Sequence, residues 1–302
     1  MSYIAVAGGV NVDIGAQPSQ RLRTKDSNPG HVHTSLGGVG RNIAHDLRLL
    51  GADVELLTAL GGDGYARAMS DSCAKLGIGL AHALQVPDMR TSTYVYINDE
   101  RGDMALAVSD MAICEKLTPD YFAANLAVLN GAALVLAETN LPAESLAYLA
   151  EHVAAPLFID PVSVAKSDKL TALLPHIHTL KPNGAEAELL SGVSVVARNS
   201  ARRAARRLID LGVKQVFLSL GKEGFLAAAE DETVWQPAPR AEVISTTGAG
   251  DALMAAIAWA WLRGENLSRT AALGAAAAAI TIECEDTISP ALSAEAVLAR
   301  AD

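Results

Sequence analysis

The stretch Ser245-Thr246-Thr247-Gly248-Ala249-Gly250-Asp251, running into residues 252–263, decides how the rest of the chain is read. Before it, Val243-Ile244 predicts a short strand. After it, Leu253, Met254, Ile257 and Trp261 predict a helix. Strand, tight Gly-rich turn and helix make the ready-made anion site of α/β proteins, where free N–H groups and the helix dipole meet a ligand that the glycines admit. Asp251 falls in the first helical turn. A carboxylate there would repel an anion, so two readings stand. It is a general base for an attacking hydroxyl, or it only complements the helix dipole.

The chain has 302 residues, half of them hydrophobic and only 4% aromatic, enough for one large α/β domain with a small insert. A formal net charge of −10 argues against nucleic acid or an anionic membrane as partner. Cys73, Cys114 and Cys284 are far apart and form no CxxC pair, so neither a disulfide framework nor a zinc site is expected. The chain enters a strand-like run at Tyr3 without a basic and then apolar leader. Together with the cysteine usage, that predicts a cytoplasmic protein. The apolar stretch 271–282 is too short to span a bilayer.

Residues 4–7 read as a buried first strand. Beyond it, Asn11 and Asp13 alternate with Val10 and Val12, so both face one side at a strand end, where open α/β sheets bind ligands. Residues 15–34 are polar and lack helical period, with a turn at Asp26-Ser27-Asn28-Pro29-Gly30. Gly37-Gly38-Val39-Gly40-Arg41-Asn42 then opens a second Gly-rich helix start, with Ile43, Leu47 and Leu50 on one face and Gly51 as its end. It is neither a P-loop nor GxGxxG, and a neutral ligand such as a sugar suits Asn42 and the free N–H groups. Strands at 53–59 and 78–84 flank a helix at 65–76. Residues 91–108 carry a hairpin signature. With 15–34 they predict a small antiparallel sheet built from 15–34 and 88–110, set apart from an α/β domain of 1–14, 35–87 and 111–302.

Helices at 119–130, 143–152 and 168–174 then alternate with strands at 133–137, 157–160 and 177–180, which predicts a parallel sheet with helices on both faces. Asn183 and Glu186 fit a capping box as well as a ligand site. Arg202, Arg203, Arg206 and Arg207 read as a solvated helix face. Residues 273–282 read as a plain core helix.

Four stretches match one family in order. Gly37-Gly38 with Asn42, Asn183 with Glu186, Ser219-Leu220-Gly221 with Gly224, and Thr247-Gly248-Ala249-Gly250-Asp251 resemble the ribokinase-like (PfkB) carbohydrate kinases. The resemblance covers essentially the whole chain. It implies a mostly parallel central sheet flanked by helices, a β-sheet lid, and ATP-dependent phosphorylation of an alcohol. It further implies Asp251 as base, Gly248, Ala249 and Gly250 as anion hole, and Asn11, Asp13, Gly38 and Asn42 on the sugar. Asn183 and Glu186 would serve phosphate and hydrated magnesium, and Ser219, Gly221 and Gly224 would line the nucleotide.

Within the family, the turn at 26–30, the stretch from Gly37 through Arg41 to Ala44, Asp160-Pro161-Val162-Ser163 with Lys166, and residues 178–183 look like the pseudouridine kinases. Asp26, Asn28, Gly37, Arg41, Thr93 and Lys166 thereby join the expected substrate contacts. One departure is Ser245, where many members carry an Asp that helps hold a monovalent cation, so a potassium requirement stays open. The edges and apolar face of a small sheet also predict a homodimer joined through the lids.

Overall fold

The computed structural model describes residues 2–302. Its strands follow the β-branched and aliphatic runs of the sequence. In chain order they are β1 (Tyr3–Ala7), β2 (Asn11–Pro18), β3 (Gly30–Gly37), β4 (Asp53–Leu57), β5 (Ala59–Gly61), β6 (Leu84–Val86) and β7 (Thr93–Asn98). There follow β8 (Met104–Asp110), β9 (Leu134–Glu138), β10 (Leu157–Asp160), β11 (Thr179–Leu180), β12 (Gln215–Ser219), β13 (Phe225–Ala228) and β14 (Thr233–Gln236). Eight of them form one sheet in the order β14-β13-β12-β11-β10-β9-β1-β4. Neighbours from β4 to β12 run parallel, and β12, β13 and β14 close the edge as an antiparallel meander.

A parallel sheet is covered on both faces, so its strands are apolar throughout. Ile4 and Val6 of β1 join one buried cluster, with Ile43, Leu47, Leu253, Ile257 and Leu273 from the Val39–Leu49, Ala249–Leu262 and Leu267–Ile282 helices. Ala5 and Ala7 point the other way, into a cluster with Leu146, Leu149, Ala204 and Leu208 from the Ala143–His152 and Arg198–Asp210 helices. The alanine-rich Leu267–Ile282 helix is a core helix. A Cβ on its Gly274 would lie 2.6 Å from Leu253 Cδ1, and the bare glycine lets the two helices close. Arg202, Arg203, Arg206 and Arg207 of the Arg198–Asp210 helix are exposed, as their pattern implied.

A second sheet, ordered β3-β2-β7-β8, stands beside the first. Its strands run past the 15–34 limit at both ends, since β2 begins at Asn11 and β3 ends at Gly37. Only β2 and β7 pair in parallel. Cross-strand partners share a face. Ile14, Val95 and Val108 are therefore on one face with Val32, Ile97 and Leu106. Asp13, Tyr94, His33 and Tyr96 are on the other.

Several local expectations fail for tertiary reasons. Val243-Ile244 is not a strand, because Pro237 and Pro239 end the meander and the chain beyond them pairs with neither edge of the sheet. Its Ile244 N–H instead caps the end of a helix, donating to Ile282 O at 2.8 Å. The span 78–84 is irregular apart from a single bridge of Gly79 to Glu55, and a strand begins only at Leu84. The 119–130 helix breaks at Asn125, whose amide donates to Tyr121 O and whose Oδ1 meets His82 Nδ1. In place of a helix at 168–174 there is one turn, Val164–Ser167, and two 3-10 turns, the second containing Pro175.

Candidate active site

The C-terminal ends of the parallel strands converge on one edge, where open α/β sheets hold ligands. Gly8-Gly9 follow β1, Glu138 ends β9, Asp160 ends β10, and Lys181 follows β11. Asp160 is paired directly with Glu138 in the sheet register. Gly8 has room for no side chain, since a Cβ would lie 2.8 Å from Glu138 Cγ and 3.0 Å from Gly40 Cα. The helix opened by Gly38 is thereby brought against the sheet.

Glu138 is fully buried and accepts from the Gly9 N–H and the Asn140 N–H, both at 2.6 Å. Burial still pushes its carboxyl up to about 7, aided by Asp160 and opposed by those two donors and Lys166. Lys166 donates to Asn140 Oδ1, so it reaches this network from the far side.

The polar pair at the start of β2 is locked. Asn11 Nδ2 donates to Asp13 Oδ1 at 2.7 Å, and a Cβ on Gly37 would fall 2.2 Å from Asp13 Oδ2. Gly38 sits at φ +96°, and a Cβ there would overlap Gly9 O and Asn11 N at 2.6 and 2.7 Å. One turn into the helix, Asn42 Nδ2 donates to Asp251 Oδ2 at 2.9 Å. Arg41 donates to Leu36 O and Ser72 Oγ, and its charge acts on Asp13.

The Gly-rich turn opens a helix, although no strand precedes it. Gly248 is the N-cap of Ala249–Leu262 at φ +81°, and a Cβ would collide with Thr287 O at 1.9 Å. Beside it, a Cβ on Gly250 would lie 3.3 Å from Lys181 Nζ. That ammonium pairs with Asp160 Oδ2 at 3.1 Å, with both side chains buried. Asp160 is aimed by a strained turn. Val162, a β-branched residue, sits at φ +61°, its N–H donates to Asp160 Oδ1, and Ser163 N–H closes a γ-turn onto Pro161 O.

Asp251 therefore faces both a donor and a cation. Burial and the neighbouring Asp160 nevertheless push its carboxyl up to about 7, against Asn42 and Lys181. That value suits a group that must accept a proton near neutrality. Behind it, Asp46 is fully buried with both carboxyl oxygens unpartnered, and burial together with Asp251 raises it well above the ordinary carboxyl range.

Beyond β11, Asn183 and Glu186 form a full capping box, with reciprocal bonds of 2.8 and 3.0 Å. Glu186 is buried, which raises its carboxyl, while the Asn183 N–H and Lys181 pull it down. Ser219 bridges to Asn183, and Gly221 and Gly224 take the loop beyond at φ +55° and +100°. Capping occupies Glu186 Oε2 and leaves Oε1 available. One or two free carboxylate oxygens, here with Asp160 nearby, suit hydrated magnesium, which keeps most of its waters. Among the described residues no group of three or more His, Cys, Asp or Glu could hold a metal ion.

Asn11, Asp13, Gly37, Gly38, Asn42 and Asp251 thus form one connected set. Asp26 and Asn28 stay outside it. Asp26 accepts from the next residue's N–H, and the Asn28 amide holds its own turn against Arg23. Thr93 pairs with Val12 and lies on the opposite face of the small sheet from Asp13. Sequence reasoning missed Glu138, and took Asp160 and Lys181 only as parts of motifs. The available signal was a carboxylate closing an apolar strand just before a loop. Between the small sheet and the Val39–Leu49 helix lies a cavity of about 740 Å³, lined by Asp13, His33, Arg41, Tyr94, Tyr96 and Thr287 among others.

Residues 1–294 match the profile of the pfkB family carbohydrate kinases. The chain is 35% identical over 293 residues to the pseudouridine kinase of Escherichia coli strain K12, covering 96% of this chain and 94% of that one. It is 26% identical over 289 residues to the ribokinase of Staphylococcus aureus strain COL, covering 93% of each. Arabidopsis thaliana ribokinase complexed with ribose and ATP shares the fold, with a TM-score of 0.91 at 23% identity over 100% of this chain and 99% of that one. The chain belongs to the pfkB family of carbohydrate kinases.

Proposed function

We propose that the protein transfers the γ-phosphoryl group of ATP to the 5′-hydroxyl of pseudouridine. The observation that carries the transfer step is the Asn42-held Asp251 carboxylate at the mouth of the Gly248–Gly250 turn. The 35% identity to a pseudouridine kinase over nearly the whole chain supports the substrate.

Phosphoryl transfer asks for positioning and charge stabilisation more than covalent chemistry. Asn11, Asp13, Gly38 and Asn42 hold the ribose. Asp251 takes the proton of the 5′-hydroxyl as its oxygen attacks phosphorus, the bond to the β,γ-bridging oxygen breaks, and ADP leaves. The N–H groups of Ala249 and Gly250, with Lys181 beside them, receive the charge that builds on the transferred group. Asp160 keeps Lys181 in place. Glu186 would hold hydrated magnesium through its waters. The metal, when bound, supplies neutralisation of phosphate charge. Ser219, Gly221 and Gly224 line the nucleotide.

The small sheet closes over the sugar as a lid and excludes water, which would otherwise consume ATP. Its apolar outer face pairs with a second copy. The family relationship to ribokinase favours one rival, a free pentose as acceptor. ADP release across pseudouridine, uridine, inosine, adenosine and ribose separates the two. The highest kcat/KM is expected for pseudouridine, and a preference for ribose would overturn the assignment.

A further inference from the structure

A pentose alone leaves the lid side of the 740 Å³ cavity without an assigned occupant. That side is aromatic. On the face of the small sheet shared with Asp13, Tyr94 is the direct register partner of Asp13, and Tyr96 pairs with Gly15 at the next position on that face. The two rings lie 5.8 Å apart between centroids. His33 comes from the strand on the other side of β2, and its Nε2 meets the Tyr96 hydroxyl at 2.8 Å with the rings edge to face.

This bond crosses over Gly15, the residue opposite both partners. A Cβ on Gly15 would fall 2.3 Å from His33 Cε1 and 2.5 Å from Tyr96 Cζ. The middle strand is therefore stripped to glycine where the two rings join over it. Aromatic residues are scarce in this chain, at 4%, yet two of its six tyrosines face this one cavity. Aromatic faces stack on planar bases whatever their sequence of ring atoms.

We infer that His33, Tyr94 and Tyr96 form a shelf for the planar base of a nucleoside, so that the acceptor is a nucleoside rather than a free pentose. The inference rests on the kinase reading of the same site and is indifferent to which base is carried. Asp13 links the two halves, since it lines the cavity and bonds to Asn11 at the ribose end. Tyr96 carries the greatest share, because His33 fixes its ring across the strand.

The test is titration calorimetry of pseudouridine, uridine, inosine and ribose on the intact protein, with Tyr96→Ala and Tyr96→Phe beside the wild type. At least one nucleoside is expected to bind the wild type ten times more tightly than ribose. Tyr96→Ala should weaken that nucleoside about tenfold, the loss of one stacked ring. Tyr96→Phe keeps the ring and should lose no more than about threefold, and matching thermal melts for the three proteins show that the lid still folds. Equal wild-type affinity for ribose and every nucleoside, no nucleoside binding, or nucleoside affinity unchanged in Tyr96→Ala would each overturn the shelf. Tight binding of uridine or inosine with no turnover of pseudouridine would leave the shelf standing and defeat the pseudouridine reading.

Discussion

Asn42 and Asp251 stand 209 residues apart in sequence and 2.9 Å apart in space, the amide of one donating to the carboxylate of the other. The contact joins the two Gly-rich helix starts of the chain into one site. It also fixes which oxygen of Asp251 remains free for a substrate hydroxyl. The carboxyl is held up to about 7 by burial and by Asp160. Turnover should therefore rise with pH through about 7 and then level off. Asp251→Asn should lower kcat by roughly a hundredfold or more while nucleotide still binds, as loss of a general base does. Steady-state rates from pH 5.5 to 9 check both. Near wild-type turnover in the Asn variant would remove Asp251 from the role of base.

Glu186 caps its helix, and in the proposed function it would also hold magnesium. Glu186→Gln keeps an oxygen acceptor for the Asn183 N–H but lacks the charge. The variant should melt close to wild type and need several-fold more magnesium for half-maximal rate. An unchanged magnesium curve would leave capping as its only task.

Asp46 has both oxygens buried and unpartnered, so folding holds it protonated where the unfolded chain would ionise. Its folded pKa lies above the unfolded one. The native state then binds more protons between the two values, and stability falls as pH rises through that window. Asp46→Asn escapes the loss. It should raise the melting temperature by a few degrees at pH 8 and by less at pH 4. The same increment at both pH values would mean that Asp46 is not held protonated.

The outer face of the small sheet exposes Val32, Leu106 and Val108 at 60 to 70% of their surface. An apolar face of this kind is a docking surface or an aggregation hazard. A lid-to-lid homodimer should be seen by light scattering at micromolar concentration, and Val108→Asp should shift it to monomer. A wild type that is monomeric there would contradict the dimer.

What the sequence determined by itself was local. Gly248 needs positive φ, the Asn183 box closes within three residues, and the alternation of strand and helix is written in hydrophobic period, so each could be read from neighbouring residues. Asn11 and Asp13 sharing a face follows from a period of two. What only the tertiary structure decided depends on which strand lies beside which. Glu138, Asp160 and Lys181 become one buried network because β9, β10 and β11 are adjacent, although nothing in their own segments says so. Thr93 faces away from the cavity and Tyr94 toward it because the pairing of β2 with β7 sets the phase of the strand. Val243-Ile244 has strand-forming residues and no strand, since the Ile244 N–H is taken by the end of a packed helix at Ile282 O. Side-chain type and local spacing are properties of the chain, whereas register and desolvation belong to the packed molecule.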